Sequence, residues 1–446
     1  MRVLRQVVDT TCTIAVVVLV ASQTAIAQPS RPDTIVRTVD APRYAGVATL
    51  VEEASVGVRS GAPEYEFSVV RDILPARDGT VWVLDGAPPL QPGARRVRQY
   101  DAQGRYLRTV GRQGQGPGEF GDPWNLGQLP DGRVLVYEPM PRRRITAYSE
   151  RGEPDTAWTL APRVGTAMFT STLLRVDPSG LIYESISIYR RQSPGAPAIG
   201  RDEAIVRLTA GGEIIDTVFA PTDIPSPVPI VSVSGGGIPY RAFPTPYTAY
   251  PRSAWSPLGY WVTGVPTTYA FELRTRSPSP SPVRGQDAPP IWAPGDPVMS
   301  IRQPGLPSVS IQNEERADRM SHLEAQIRSA RGTPSGPPPE VPRIKPAYHG
   351  FMVGDDGRIW VQVPMPSERD DAAGGGGGGS LPSPPPWREP QAYDVFEPDG
   401  SLVGRVAVPD AVTLYTMRGE TVWGTVRDAD DVVVVKRFRI QWRGRQ

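Results

Sequence analysis

The chain of 446 residues is nearly without thiols, histidine and lysine, and each shortage removes a class of chemistry. A lone cysteine, Cys12, leaves no internal disulfide and no cysteine-based metal site. Two histidines, His322 and His349, fall short of the three or four ligands that a zinc site takes, so no metal ligand is assigned. Lysine stands only at positions 345 and 436. The 48 basic residues balance 47 acidic ones to a formal charge of +1, which gives no electrostatic footprint for nucleic acid or an anionic membrane. No Gly-x-Ser-x-Gly elbow for a serine nucleophile occurs. The glycine run at 374–379 lacks the Lys-Ser/Thr that completes a phosphate loop. Asp355-Asp356-Gly357 lacks the spaced acids of a calcium loop and reads as a plain β-turn. Arg142-Arg143-Arg144 reads as a solvated loop. No catalytic residue and no cofactor is expected from these patterns.

Long hydrophobic runs are also missing beyond the first residues. Arg2 and Arg5 precede a short apolar core, Ile14 to Ala21, and Ala25-Ile26-Ala27 fits the small-x-small rule for cleavage. Residues 1–27 are therefore expected to be an export signal, too short to span a bilayer, which takes about 20 apolar residues. Cys12 leaves with it. The expectation is an exported, periplasmic or extracellular protein with no membrane span after cleavage.

Glycine and proline, in contrast, are plentiful at 45 and 52 residues, and they punctuate a repeat. Gly79, Gly132, Gly180, Gly259, Gly357 and Gly419 each precede a short apolar run with an aromatic in it. Examples are Val81-Trp82-Val83, Tyr260-Trp261-Val262 and Ile359-Trp360-Val361. A second apolar run comes after each, often ending in another Gly turn, as at Asp101 to Gly104 and Glu397 to Gly400. Alternating runs joined by Asp-Gly turns are hairpin signals. Six copies of a four-strand unit, none able to bury its faces alone, predict a ring. The expected fold is all-β: a six-bladed β-propeller of four-stranded antiparallel blades with one inserted helix, forming a single domain over 28–446. The sixth copy ends after three strands, and residues 49–57 are expected to supply its outer strand. The adjoining segment GAPEYEF at 61–67 parallels GQGPGEF at 114–120, which places 49–57 where a fourth strand belongs.

The stretch from Val97 to Tyr148 carries a family resemblance. Its VRQYDAQGRYLRTVGRQGQGPGEF, PDGRVLVY and RRITAY segments resemble NHL repeats, and more closely the secreted bacterial six-bladed β-propellers built from them. The likeness is sharp over 62–160, fair over 346–442 and faint over 165–275. It implies a binding or scaffold role more often than catalysis, although relatives include a zinc lyase and calcium-dependent lactonases.

Insertions are expected at 221–246, 277–346 and 364–390, on the face opposite the tight Asp-Gly turns, and elaborated loops on a rigid face are where function usually sits. Asn313 to Arg331 reads as the helix, with Met320, Leu323 and Ile327 at helical spacing. The Pro/Ser-rich and Gly-rich tracts at 221–237, 277–290 and 372–386 are expected to lack secondary structure. Eight residues before each anchor glycine stand Arg71, Trp124, Thr172, Pro251, His349 and Ala411, with Asn125 and Arg252 one residue further on. If the innermost strands start on the loop face, these circle the mouth of the channel. Arg71, Trp124, Asn125, Arg252 and His349 are the expected ligand-binding rim, suited to a polar or acidic ligand. The expected function is an exported binding or scaffold propeller, a monomer that holds a protein or glycan of the cell envelope on its long-loop face. The alternative is a calcium-dependent hydrolase or lactonase with carboxylates and Asn converging in the channel; a scaffold with no ligand is the third reading.

Overall fold

The computed structural model describes residues 34–444 except 40, 59–60, 87–94, 140–142, 161–168, 191–199, 222–229, 236–237, 279–288, 331, 337, 371–383 and 428–431. The expected export signal, Cys12 and the glycine run lie outside the described residues. Thr34–Gln446 is one compact unit. Within it four-stranded antiparallel meanders succeed one another, the last two joined in one eight-stranded sheet where Val47, Ala48 and Thr49 pair in parallel with Arg405, Val406 and Ala407. The first is Val70–Pro75, Val81–Asp85, Arg96–Tyr100 and Tyr106–Val110; the second is Asn125–Gln128, Val134–Glu138, Arg144–Tyr148 and Pro154–Thr159. The third runs Phe169–Val176, Ile182–Arg190, Gly200–Leu208 and Ile214–Phe219, and the fourth Arg252–Trp255, Trp261–Gly264, Ala270–Arg276 and Pro294–Arg302. The fifth comprises Gly350–Val353, Ile359–Val363, Gln391–Phe396 and Leu402–Val408. The sixth takes Val412–Arg418, Thr421–Arg427 and Val433–Gln441 from the end of the chain and Val47–Val56 from its beginning, antiparallel from Thr49–Gln441 to Val56–Val435.

Burial falls from the second strand of a meander to its edge. Val134–Glu138 is buried at every position, whereas Pro154–Thr159 is exposed at all but one. A strand covered on both faces is apolar throughout. That pattern arises because each sheet is packed between two others. Trp82, Leu84 and Val97 of the first meander pack on Leu126, Val134 and Val136 of the second. Further clusters join second to third, third to fourth, fourth to fifth and fifth to sixth. A last one returns from Trp423, Val433 and Val435 to Val70, Ile73 and Val83 of the first. Each buried Val, Leu or Phe adds about 1.5–3 kcal/mol. The fold is all-β and propeller-like.

Polar devices lock the crossings. Arg98 donates to the carbonyls of Glu66 and Pro63 at 2.9 and 3.0 Å, and Tyr100 Oη to that of Glu64 at 2.5 Å. In the next crossing Tyr148 Oη donates to the Gly118 carbonyl at 3.1 Å and Arg144 to that of Gln115 at 3.2 Å. The two parallel segments, 61–67 and 114–120, are thus held by equivalent elements of successive meanders.

Expectations change for two insertions and for the arginine run. The segment 277–346 is not insertion throughout. It holds the outer strand Pro294–Arg302, and Ile291–Trp292 joins the third meander. Pro294 and Pro297 make this segment read as loop, but they precede the stretch Met299–Arg302, which pairs in parallel with Ile35–Thr38; proline is tolerated where no ladder donor is needed. Within 221–246, Ile230–Gly235 pairs with Ile238–Pro244 and with Thr333–Ser335. Within 364–390, Glu368–Arg369 pairs with Trp387–Arg388. Finally, Arg143 and Arg144 are not solvated: they bind the buried carboxylates of Glu184 and Glu138. The helix is Asn313–Ser329, and it buries Glu315 beside Leu323. Among the described residues no helix is long and apolar enough to cross a membrane.

Candidate functional site in the central channel

The innermost strands all end in the tight turns, so their starts share the opposite face. Arg71 and Trp124 meet there, the guanidinium lying 5.2 Å from the indole centroid. Trp124 Nε1 donates to Asp122 at 3.1 Å, and Asp122 also pairs with Arg95. Burial lowers the pKa of Arg71, with Tyr415 pulling the other way. Burial and the charge of Arg71 push Arg95 down to about 10. Asn125 sits one step deeper and donates from Nδ2 to Asp72 at 3.4 Å. Asp72 also accepts the backbone N–H of Ile73 at 3.0 Å and of Leu126 at 2.9 Å. Burial pushes its carboxyl up, against the opposing pull of Arg175 and of these hydrogen bonds.

The other rim residues do not join this group. Arg252 begins the fourth meander and is exposed. His349 turns into a buried network under the helix. Its Nε2 lies 2.7 Å from Glu389 Oε1, and Glu389 Oε2 lies 2.8 Å from Lys345 Nζ. Lys345 also donates to the Met365 carbonyl at 2.6 Å and to Ser367 Oγ at 2.8 Å. Ser367 and Tyr247 both donate to the buried Glu315 of the helix, at 2.7 and 2.5 Å. These polar groups satisfy one another inside the protein, so the network docks the helix on the fifth meander. Thr172 lies in the first strand of the third meander, and its side chain is outside the description.

A cavity of about 310 Å³ opens between the first strands of the third to sixth meanders, with Tyr183, Ser185, Glu203 and Ile205 from the second and third strands of the third meander and Trp261 from the second strand of the fourth. Tyr183, Trp255, Trp261, Phe351 and Tyr415 give it aromatic walls; Arg175, Glu203, Asp355, Ser185, Ser253 and Thr416 supply polar groups. Trp255 stacks edge-on to Trp261 with centroids 5.2 Å apart and tilts over Tyr183 at 5.7 Å. The phenols are committed elsewhere: Tyr183 donates to Asp177 at 2.7 Å and Tyr415 to the Val70 carbonyl at 2.6 Å. A narrower space of about 90 Å³ lies toward the tight-turn face, between Asp72, Gly127, Gln128, Arg175, Asp355 and Thr416, with Arg77 and Arg418 on its wall. Counting back from the glycines did not find this lining, because β-bulges shift the register of three innermost strands, near Arg71, Thr172 and Tyr415. Among the described residues no three His, Cys, Asp or Glu side chains are grouped to hold a metal ion.

No protein-family model matches the chain, and no curated protein matches it in sequence. Solved structures do resemble it. A member of the DUF4221 family from Bacteroides vulgatus aligns with a TM-score of 0.47 and 10% identity, covering 89% of this chain and 99% of that one. A calcium-binding protein, regucalcin, from Agrobacterium tumefaciens aligns at 0.35 and 13%, covering 89% and 98%. The β-propeller domain of the trilobed protease from Pyrococcus furiosus aligns at 0.31 and 8%, covering 89% and 85%. At these scores the likenesses carry no argument about function.

Proposed function

We propose that the chain is an exported, six-bladed, NHL-like propeller that binds a glycan, admitted from the long-loop face and held in the central channel. The cavity of about 310 Å³ carries this reading. A sugar ring presents a flat C–H face and a rim of hydroxyls. Aromatic walls with a few convergent polar groups suit the two parts, and a concave, largely apolar site with few polar groups is the usual form of a small-ligand pocket. Arg71 and Trp124 would then flank the entrance, and the expected ligand class from the envelope is retained while its seat moves inward from the rim. The leader at residues 1–27 supports export.

A glycan array probed with three proteins tests the proposal: wild type, Ala254→Trp, and Arg71→Ala with Arg252→Ala. Ala254 lines the cavity on the strand Arg252–Trp255, so the indole would occupy the space. The expected result is a loss of at least about tenfold in affinity for Ala254→Trp, about 1.4 kcal/mol, and a smaller loss for the rim variant. Full retention by Ala254→Trp alongside loss in the rim variant would move the site to the loop face. No glycan binding by the wild type would overturn the reading.

A further inference from the structure

Arginine is the dominant cation of this protein, and nearly every interior arginine has an acid. Arg98 faces Asp85, Arg144 faces Glu138, Arg207 faces Asp216, Arg358 faces Glu397 and Arg405 faces Asp394. Three arginines around the narrow space lack an acid: half-buried Arg175 and the exposed Arg77 and Arg418. Arg175 lines both the wide cavity and the narrow space beside it. The only hydrogen bond of its side chain among the described residues is a long one, 3.4 Å to the carbonyl of Leu174. Arg77 and Arg418 line the narrow end and, among the described residues, have neither a side-chain hydrogen bond nor an ion pair. Three guanidinium groups from the first, third and sixth meanders therefore border one narrow opening.

Two carboxylates, Asp72 and Asp355, share the lining, but among the described residues neither is within ion-pair distance of these arginines. Asp72 accepts three hydrogen bonds, and Arg175 acts on it through space without touching it. Asp355 Oδ2 takes the hydroxyl of Thr416 at 2.7 Å. Asp356 takes the backbone N–H groups of Arg358 and Gly419 at 3.1 and 2.7 Å. Asp177 takes Ser179, Leu181 and Tyr183. Three arginines against two carboxylates leave this end positive on balance, beside a cavity with aromatic walls. Guanidinium donors form a planar fork that matches an oxyanion.

Resting on the reading of a glycan in the channel, we infer that the ligand is an acidic glycan whose carboxylate lies against Arg175, Arg77 and Arg418 while its ring lies against the aromatic walls. The juxtaposition is of arginines without ion pairs around the narrow space with Trp255 and Tyr183 in the wide one, two neighbouring spaces that share Arg175, Val176, Asp355 and Thr416. The tight-turn side of the ring thus contributes to recognition, although its turns are short.

Calorimetric titration of the full exported chain with cellobiouronate, cellobiose and inorganic phosphate tests this. The two sugars share a skeleton and differ by the carboxylate. Cellobiouronate should bind at least about tenfold more tightly than cellobiose. Arg175→Gln and Arg418→Gln should each lower cellobiouronate affinity about tenfold and leave cellobiose unchanged, with partial recovery in Arg175→Lys. Neither arginine supports the core through an ion pair, so thermal melting should match wild type; Arg418 is exposed, which keeps that variant informative if Arg175→Gln fails to fold. Equal binding of the two sugars, with silent arginine variants, overturns the acidic ligand and leaves the channel reading standing. Phosphate binding as tightly as cellobiouronate overturns it in favour of a bare oxyanion site. No binding of either sugar or of phosphate overturns the inference.

Discussion

Replacing Glu389 by Gln tests the electrostatic joint that holds the helix and the long insertion to the fifth meander. Lys345 has no exposed side-chain surface, and its three ammonium protons are used by Met365, Ser367 and Glu389 at 2.6, 2.8 and 2.8 Å. Glu389 in turn accepts His349 at 2.7 Å and the Met365 N–H at 2.8 Å. Glutamine keeps the shape and one acceptor but leaves a buried ammonium without its counter-charge. Removing one partner of a buried pair costs about 3–5 kcal/mol. Replacing both, as in Lys345→Met with Glu389→Leu, should come back to within about 1–2 kcal/mol of wild type, since an apolar pair avoids the desolvation of two ions. Guanidinium unfolding followed by tryptophan fluorescence measures both. A pH series adds a second readout. Burial raises the Glu389 carboxyl, but His349, Lys345 and the Met365 N–H outweigh it, so its folded pKa lies below the ordinary carboxylate value. The folded state then binds a proton less readily than the unfolded chain does. Its stabilisation is complete above the ordinary carboxylate range and is lost as pH falls through the depressed value. The gap between wild type and Glu389→Gln should therefore narrow in acid. A variant within about 0.5 kcal/mol of wild type at neutral pH, or a gap that does not change with pH, would refute this account of the joint.

Trp360→Ala removes a side chain that is 1% exposed and packs edge-on to Tyr393, so denaturant melts should show a loss of about 3–5 kcal/mol. Leu107→Ser, on an exposed edge strand at 41% exposure, should stay within about 0.5 kcal/mol. Gly79 and Gly212 both sit at positive φ, +86° and +85°. Gly79→Ala should cost only the left-handed backbone, about 1–2 kcal/mol, while Gly212→Ala should cost more because its Cβ would press on Trp158. Deleting residues through Gly57 strips Val47–Val56 from the edge of Val433–Gln441, and light scattering should show aggregation through the exposed strand edge.

Local signals in the sequence determined the strands, the turns and the closure. An apolar alternation next to a glycine that must take positive φ is a short-range instruction, and all six anchor glycines from Gly79 to Gly419 take it. Trp82, Trp261, Trp360 and Trp423 were legible as core for the same reason, and each is at most 5% exposed. The parallel between 61–67 and 114–120 was enough to assign residues 49–57 to the last sheet. Three things depended on the tertiary structure. The strand Pro294–Arg302 forms because Ala270–Arg276 and Ile35–Thr38 flank it, a pairing that on one side joins Ile35 to Met299 across most of the chain. His349 left the rim because Glu389 and Lys345, which no local pattern joins to it, offer its ring a buried partner. The channel lining was hidden by bulges, since one extra residue turns every later side chain to the other face of a strand. Sequence periodicity thus carries which residues alternate, whereas which space Arg175, Asp355 and Thr416 line is decided only when the sheets pack against one another.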